Sequence, residues 1–157
     1  MTFTSFSLAE GRDWPSGAAA TLPATKPRRS SELSTLLYRV VVRNTGTVDS
    51  DVVVTAMWSP DGPLAVRTPV RRQLFDYTRV RVAKGVSMEV SFTISTLSLV
   101  FAAPNGDLVS SPGAFKLVFD DGSGEASGTV GAVVNITGQE AVVMEAFPRG
   151  IGAGSSI

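Results

Sequence analysis

The chain has 157 residues, 43% hydrophobic and 18% charged, with fourteen basic and fourteen acidic side chains and neither cysteine nor histidine. Disulfides, thiolate nucleophiles and cysteine-held metals are therefore excluded, and the commonest general base and metal ligand is missing. A net charge of zero offers no field to a polyanion or an anionic membrane, and no run reaches the roughly 18 apolar residues of a spanning helix, so neither nucleic acid nor membrane is expected as a partner and no cofactor is implied.

One domain is the natural expectation at this length. The N-terminus MTFTSFSLAEGRD has neither the basic nor the apolar block of a signal peptide, so the chain as written is read as soluble with no visible address. Apolar runs are short, rich in valine and aromatics, and bounded by Gly, Pro, Asn or Asp, which is the pattern of strands. The first is expected over Thr2 to Leu8. Gly11 to Glu32 follows with Pro15, Pro23, Pro27, an alanine run and the pair Arg28-Arg29, and is expected as a long loop. Tyr38, Val40 and Val42 then alternate with Arg39, Val41 and Arg43. Asn44-Thr45-Gly46 turns the chain into a strand over Val52 to Trp58, and Pro60-Asp61-Gly62-Pro63 turns it again toward Leu74 to Val82.

After Lys84-Gly85, Met88, Val90, Phe92 and Ile94 alternate with Glu89, Ser91 and Thr93, as in a strand with one buried and one wet face. Ser95 to Phe101 breaks the pattern, with Ser95 or Thr96 placed to cap one helical turn carrying Leu97 and Val100. Beyond Pro104-Asn105-Gly106-Asp107, Phe115, Leu117 and Phe119 alternate with Lys116, Val118 and Asp120, and Asp120-Asp121-Gly122 leads to a last strand over Val130 to Ile136. About seven such strands predict an all-β, immunoglobulin-like antiparallel β-sandwich over residues 1–137. Residues 138–157 read as a partly disordered C-terminal extension.

Four stretches in order carry a resemblance. They are Val40 to Gly46 followed by Asp51-Val52-Val53-Val54; Pro69 to Val80; Lys84-Gly85-Val86-Ser87; and Leu99-Val100-Phe101 through Asn105-Gly106 to Pro112-Gly113-Ala114-Phe115. This arrangement resembles the C-terminal fibronectin type III-like domain of family 3 glycoside hydrolases, the β-glucosidases and β-xylosidases. There the corresponding patterns are V-x-N-T-G, P-x-x-x-L-x-G-F-x-R-V, K-P-G-E-S and D-G-x-x-x-x-P-G-x-F. The chain departs at Asp76-Tyr77 for Gly-Phe, at Ala83-Lys84-Gly85 for the turn, and at an Ala-Pro pair before Asn105-Gly106.

In that family the catalytic nucleophile and acid/base lie in domains N-terminal to this one. The resemblance therefore implies a non-catalytic piece that stabilises or orients the catalytic domains of the same parent polypeptide and helps hold oligo- or polysaccharide, in a secreted, extracellular or lysosomal-type protein. The alternative is a self-standing immunoglobulin-like module that binds carbohydrate or protein, for which Trp14, Trp58, Tyr38 and Tyr77 are the amphipathic aromatics that could stack on sugars.

Other signals take bland readings. Asp13-Trp14 looks like the family's Ser-Asp-Trp nucleophile motif, but Arg12 precedes it in a Gly/Pro-rich loop, and the match is read as chance. Asp120-Asp121-Gly122, Asp49-Ser50-Asp51 and Asp61-Gly62 are read as turns rather than carboxylate pairs or calcium loops. Six of the fourteen basic residues fall between Arg67 and Lys84, and the alternation of Arg79 and Arg81 with Val80 and Val82 marks the wet face of a strand. Gly122-Ser123-Gly124 precedes no helix and is read as a flexible turn, not a phosphate loop. Asn135-Ile136-Thr137 is a glycosylation sequon.

One strand is anomalous. Val54, Ala56 and Trp58 form one face of Val52 to Trp58, yet Val53, Thr55 and Met57 make the other largely apolar too, which a strand wet on one side should not be. Val53, Thr55 and Met57 are thus candidate interface residues. Either another domain or the proline-rich loop covers them.

Overall fold

The computed structural model describes residues 5–11, 14, 20–26 and 34–148. Eleven strands lie within them: β1 (Phe6–Glu10), β2 (Thr21–Pro23), β3 (Thr35–Asn44), β4 (Ser50–Asp61), β5 (Gln73–Val82), β6 (Ser87–Ser95), β7 (Phe101–Ala102), β8 (Leu108–Ser110), β9 (Gly113–Asp120), β10 (Thr129–Thr137) and β11 (Val142–Glu145). A short helix α1 (Pro63–Arg67) joins β4 to β5.

The seven expected strands are β1, β3, β4, β5, β6, β9 and β10. The count rises from seven because β2, β7, β8 and β11 are two to four residues long, too short to display an alternation. Three sheets result, in the orders β1-β3-β6, β2-β10-β9-β4-β5 and β11-β8-β7. All pairings are antiparallel except that of β2 with β10. Two expected loops are partly structured. The segment 11–32 contains β2, held because Leu22 is buried in the core. The segment after Thr137 contains β11, beyond which the Phe147 N–H donates to Asp107 Oδ1 at 2.8 Å. Thr2 to Thr4, Pro15, Pro27, Arg28-Arg29 and the tail from Arg149 fall outside the described residues.

Alternation places Tyr38, Val40 and Val42 of β3 and Phe92 and Ile94 of β6 against Val54, Ala56 and Trp58 of β4 and Phe115, Leu117 and Phe119 of β9, all buried. Tyr38 stacks on Phe119 with centroids 4.2 Å apart and an interplanar angle of 2°, and Phe92 meets Phe119 at 5.0 Å. Trp58 packs edge-on to Phe115 at 5.1 Å. The expected helical turn is a 3₁₀ turn over Thr96–Leu99, where the Ser95 N–H donates to Ser98 Oγ at 3.0 Å.

The Asn44-Thr45-Gly46 motif is the corner that locks the two main sheets together. Asn44 is fully buried, its Nδ2 donates to the carbonyls of Val48 and Val82, each at 2.8 Å, and its Oδ1 accepts from the Gly46 N–H at 2.9 Å. Its backbone also bonds both Val86 and Gly85. One side chain thus ties β3, the β3–β4 turn and the end of β5.

Tyr38 carries a pH signature. Its hydroxyl donates to Glu10 Oε2 at 3.2 Å, and burial, then the Glu10 charge and hydrogen bond, push its pKa well above the usual phenol value. The unfolded chain releases this proton near pH 10 while the folded chain retains it, so the contribution is intact below about pH 10 and is lost as pH rises above it. Denaturant unfolding between pH 8 and 11 should show stability falling more steeply in the wild type than in Tyr38→Phe.

Candidate functional site

The outer face of the five-stranded sheet is the feature that the β4 anomaly points to. Register places Val53 of β4 beside Arg79, Thr55 between Tyr77 and Asp120, and Met57 between Leu74 and Val118. Val118 in turn lies beside Gly131, and Lys116 beside Val133. The result is an apolar band crossing four strands, with Val53, Leu74, Tyr77 and Val133 each more than two-fifths exposed. A water-facing sheet surface ordinarily alternates to polar residues, and contiguous exposed apolar surface marks interaction sites.

Two backbone details shape this face. A β-bulge where β5 passes Ala56 and Met57 turns both Leu74 and Tyr77 outward although they are three residues apart. At Gly131 a Cβ would lie 2.6 Å from the Leu117 carbonyl oxygen, so no side chain fits. Gly131→Ala should cost about 1–3 kcal/mol in denaturant unfolding through this overpacking.

The proline-rich loop does not cover the band with its described residues. Trp14 packs edge-on against Tyr38 at 5.0 Å, β2 sits on the far side of β10, and Val53 remains 41% exposed. Of the four candidate sugar-stacking aromatics, Tyr38 and Trp58 are core residues and Trp14 is half-buried, whereas Tyr77 is 65% exposed. Asp13 lies outside the described residues. Asn135 is half-buried inside β10, its backbone N–H bonded to the Ala20 carbonyl, and Thr137 Oγ1 of the sequon donates to the Leu22 carbonyl.

The carboxylates serve local structure. Asp51, expected in a turn, is instead the second residue of β4, because the strand begins as soon as it can pair with β5. The Arg79 guanidinium grips its carboxylate at 2.8 and 3.0 Å and Arg81 adds a contact at 3.2 Å; the Arg79 hydrogen bond in particular holds Asp51 below the usual carboxylate range. Asp120 and Asp121 cap the β9–β10 turn by accepting from the N–H groups of Gly122 and Ser123. An open groove of about 670 Å³ runs past this turn, lined by Ser5, Asp51, Val53, Asp121 and Glu125 among others. Among the described residues no three acidic side chains group as metal ligands.

No family model matches the chain. It is 33% identical over 155 residues, 95% of its length, to a probable exo-1,4-β-xylosidase of Aspergillus clavatus, of which it covers 19%. A probable exo-1,4-β-xylosidase of Aspergillus oryzae is 33% identical over 113 residues, with 71% of this chain and 13% of that protein covered. Among solved structures, a β-glucosidase of intestinal bacteria involved in saponin metabolism superposes with a TM-score of 0.66 at 20% identity over 87% of this chain and 17% of that one. A β-glucosidase of Listeria innocua in complex with glucose gives 0.64 at 14% identity, covering 88% and 17%. Over 95% of its length the chain is homologous to exo-1,4-β-xylosidase of glycoside hydrolase family 3, and its fold is that of a segment of family 3 β-glucosidases, consistent with a C-terminal domain of that family. It spans less than a fifth of the curated relatives that it matches.

Its departures from the family 3 pattern have local explanations. Asp76, where that pattern has glycine, sits at the β5 bulge and its Oδ1 accepts from the Tyr77 N–H at 2.7 Å, fixing the irregular backbone by a side-chain bond. In the altered Ala83-Lys84-Gly85 turn, Gly85 takes a φ of 73° and its N–H reaches the Asn44 carbonyl.

Proposed function

We propose that this chain is the non-catalytic C-terminal domain of a family 3 β-glycosidase, and that it stabilises or orients the catalytic domains of the same polypeptide by docking through the outer face of its five-stranded sheet. The observation that carries this reading is the apolar band of Val53, Met57, Leu74, Tyr77, Val118 and Val133 on a sheet face that should otherwise be polar. The relatives supply an occupant, since four-fifths or more of each lies outside the matched segment and both are described as probable exo-1,4-β-xylosidases.

Deleting this domain from its parent polypeptide should lower thermal stability and turnover of aryl β-xylosides and β-glucosides, while the isolated chain turns over neither. Near-parental turnover by the isolated chain, or an unaffected deletion variant, would refute the reading. A narrower variant, Met57→Glu with Val133→Glu, should destabilise the parent by clearly more than the isolated chain, which loses about 1 kcal/mol because Met57 is half-buried. The module reading rests on exposed Tyr77; retention of the isolated chain on xylan, abolished by Tyr77→Ala, would favour it.

A further inference from the structure

We infer that the arginine-bearing connection between β4 and β5 is a second contact, made to a carboxylate-rich surface of the same polypeptide on which the sheet face docks; this rests on the function proposed above. The connection is anchored at one buried residue. Leu64 of α1 is 1% exposed and packs so closely over Gly113 that a Cβ there would come within 3.0 Å of the leucine Cβ. With Leu64 turned inward, Val66 is 88% exposed, and Arg67 makes one long bond, 3.5 Å, to the Pro112 carbonyl. The chain dips at buried Thr68 and re-emerges with Arg71 and Arg72 exposed.

The charge here is unmatched. No acidic residue occurs from Gly62 to Phe75, so three arginines stand together in a chain whose overall charge is zero. Arg71 and Arg72 have no hydrogen-bond or ion-pair partner among the described residues, whereas Arg79 and Arg81 at the other end of β5 are both satisfied by Asp51. Lys116 adds an exposed positive group on the adjoining part of the sheet face.

The chemistry of the connection selects its partner. Guanidinium groups bind carboxylates through paired hydrogen bonds, and arginine is enriched at protein interfaces. The stretch from Gly62 to Leu74 holds no aromatic residue on which a nucleobase could stack. Position is as telling as composition, because Leu74, two residues after Arg72, lies on the outer face beside Met57. The arginine tip is thus continuous with the apolar band. The band supplies area, and the tip fixes which way round the partner lies.

The test uses the parent polypeptide and reads the rate at which subtilisin releases this domain, alongside the unfolding midpoint of the isolated chain. Arg71→Glu with Arg72→Glu should speed release at least about tenfold, as loss of interface arginines does. Arg71→Gln with Arg72→Gln should give a smaller rise, and salt should accelerate release of the wild type but not of the Glu variant. The isolated chain should unfold unchanged in both variants. If Met57→Glu with Val133→Glu releases the domain while both arginine variants behave as wild type, the arginine contact is overturned and the docking reading stands. If no variant alters release, both are overturned.

Discussion

Replacing Asn44 with leucine should lower the free energy of unfolding by about 3 kcal/mol, among the largest effects available from a single polar side chain here. The leucine leaves the Gly46 N–H and the carbonyls of Val48 and Val82 without the partner they now share, the bond to Val82 buried and the other two partly buried. Buried groups stripped of hydrogen bonds cost the full loss of their hydration, about 1–3 kcal/mol each, partly relieved by local relaxation. Asn44→Asp sharpens the test. A carboxylate there still accepts from Gly46 but faces two carbonyl oxygens, so its folded pKa is raised. The variant's remaining stability is therefore greatest below about pH 4 and falls as pH rises, opposite to ordinary acid denaturation. Denaturant titrations from pH 3 to 7 measure both effects, and a leucine variant within about 0.5 kcal/mol of wild type would remove the corner from the account.

Phe119→Ala should cost about 4 kcal/mol, or roughly 10 °C in the unfolding midpoint of a domain this size. Phe119 is fully buried at the centre of the aromatic cluster, stacked on Tyr38, tilted against Phe92 and edge-on to Phe75 at 6.5 Å. It joins β9 of one main sheet to β3 and β6 of the other, so truncation opens a cavity that three rings held in different strands cannot close. Phe119→Leu, which keeps most of the volume, should lose less than half as much. Equal losses from the two would mean that ring stacking, not volume, governs the site.

The long strands were legible in the sequence because each combines a buried face with a wet one. Tyr38 to Val42, Met88 to Ile94 and Phe115 to Phe119 alternate without interruption; the structure buries the predicted side of the first and third throughout, and of the second only Phe92 and Ile94, Val90 being half-buried and Met88 39% exposed near the start of β6. What escaped has specific causes. β2, β7, β8 and β11 are only two to four residues long, at or below the shortest run in which alternation can be read. α1 lies behind Pro60-Asp61-Gly62-Pro63, whose turn chemistry outweighs five residues of helix. Asn44-Thr45-Gly46 was readable as a family motif, but the buried hydrogen bond from Asn44 to the Val82 carbonyl depends on β5, far along the chain.

The candidate face divides in the same way. Val53, Thr55 and Met57 betrayed it because both sides of one strand were apolar. Leu74 and Tyr77 could not join them by a period of two, since only the bulge brings residues three apart to one surface. Val118 and Val133 needed register, which pairs β4 with β9 and β9 with β10. The arginine tip was visible as a basic stretch, but its division into matched Arg79 and Arg81 and unmatched Arg71 and Arg72 is a property of the fold.

Hydroxyl-radical footprinting tests the docking of this face most directly, because Met57 and Tyr77 are both reactive side chains on the band. The parent polypeptide and the isolated chain are exposed side by side and the oxidation rates of these residues compared. Protection of Met57 and Tyr77 in the parent by several-fold, with Met88 on β6 oxidised equally in both, is the predicted result. Equal oxidation of Met57 and Tyr77 in the two proteins would contradict it.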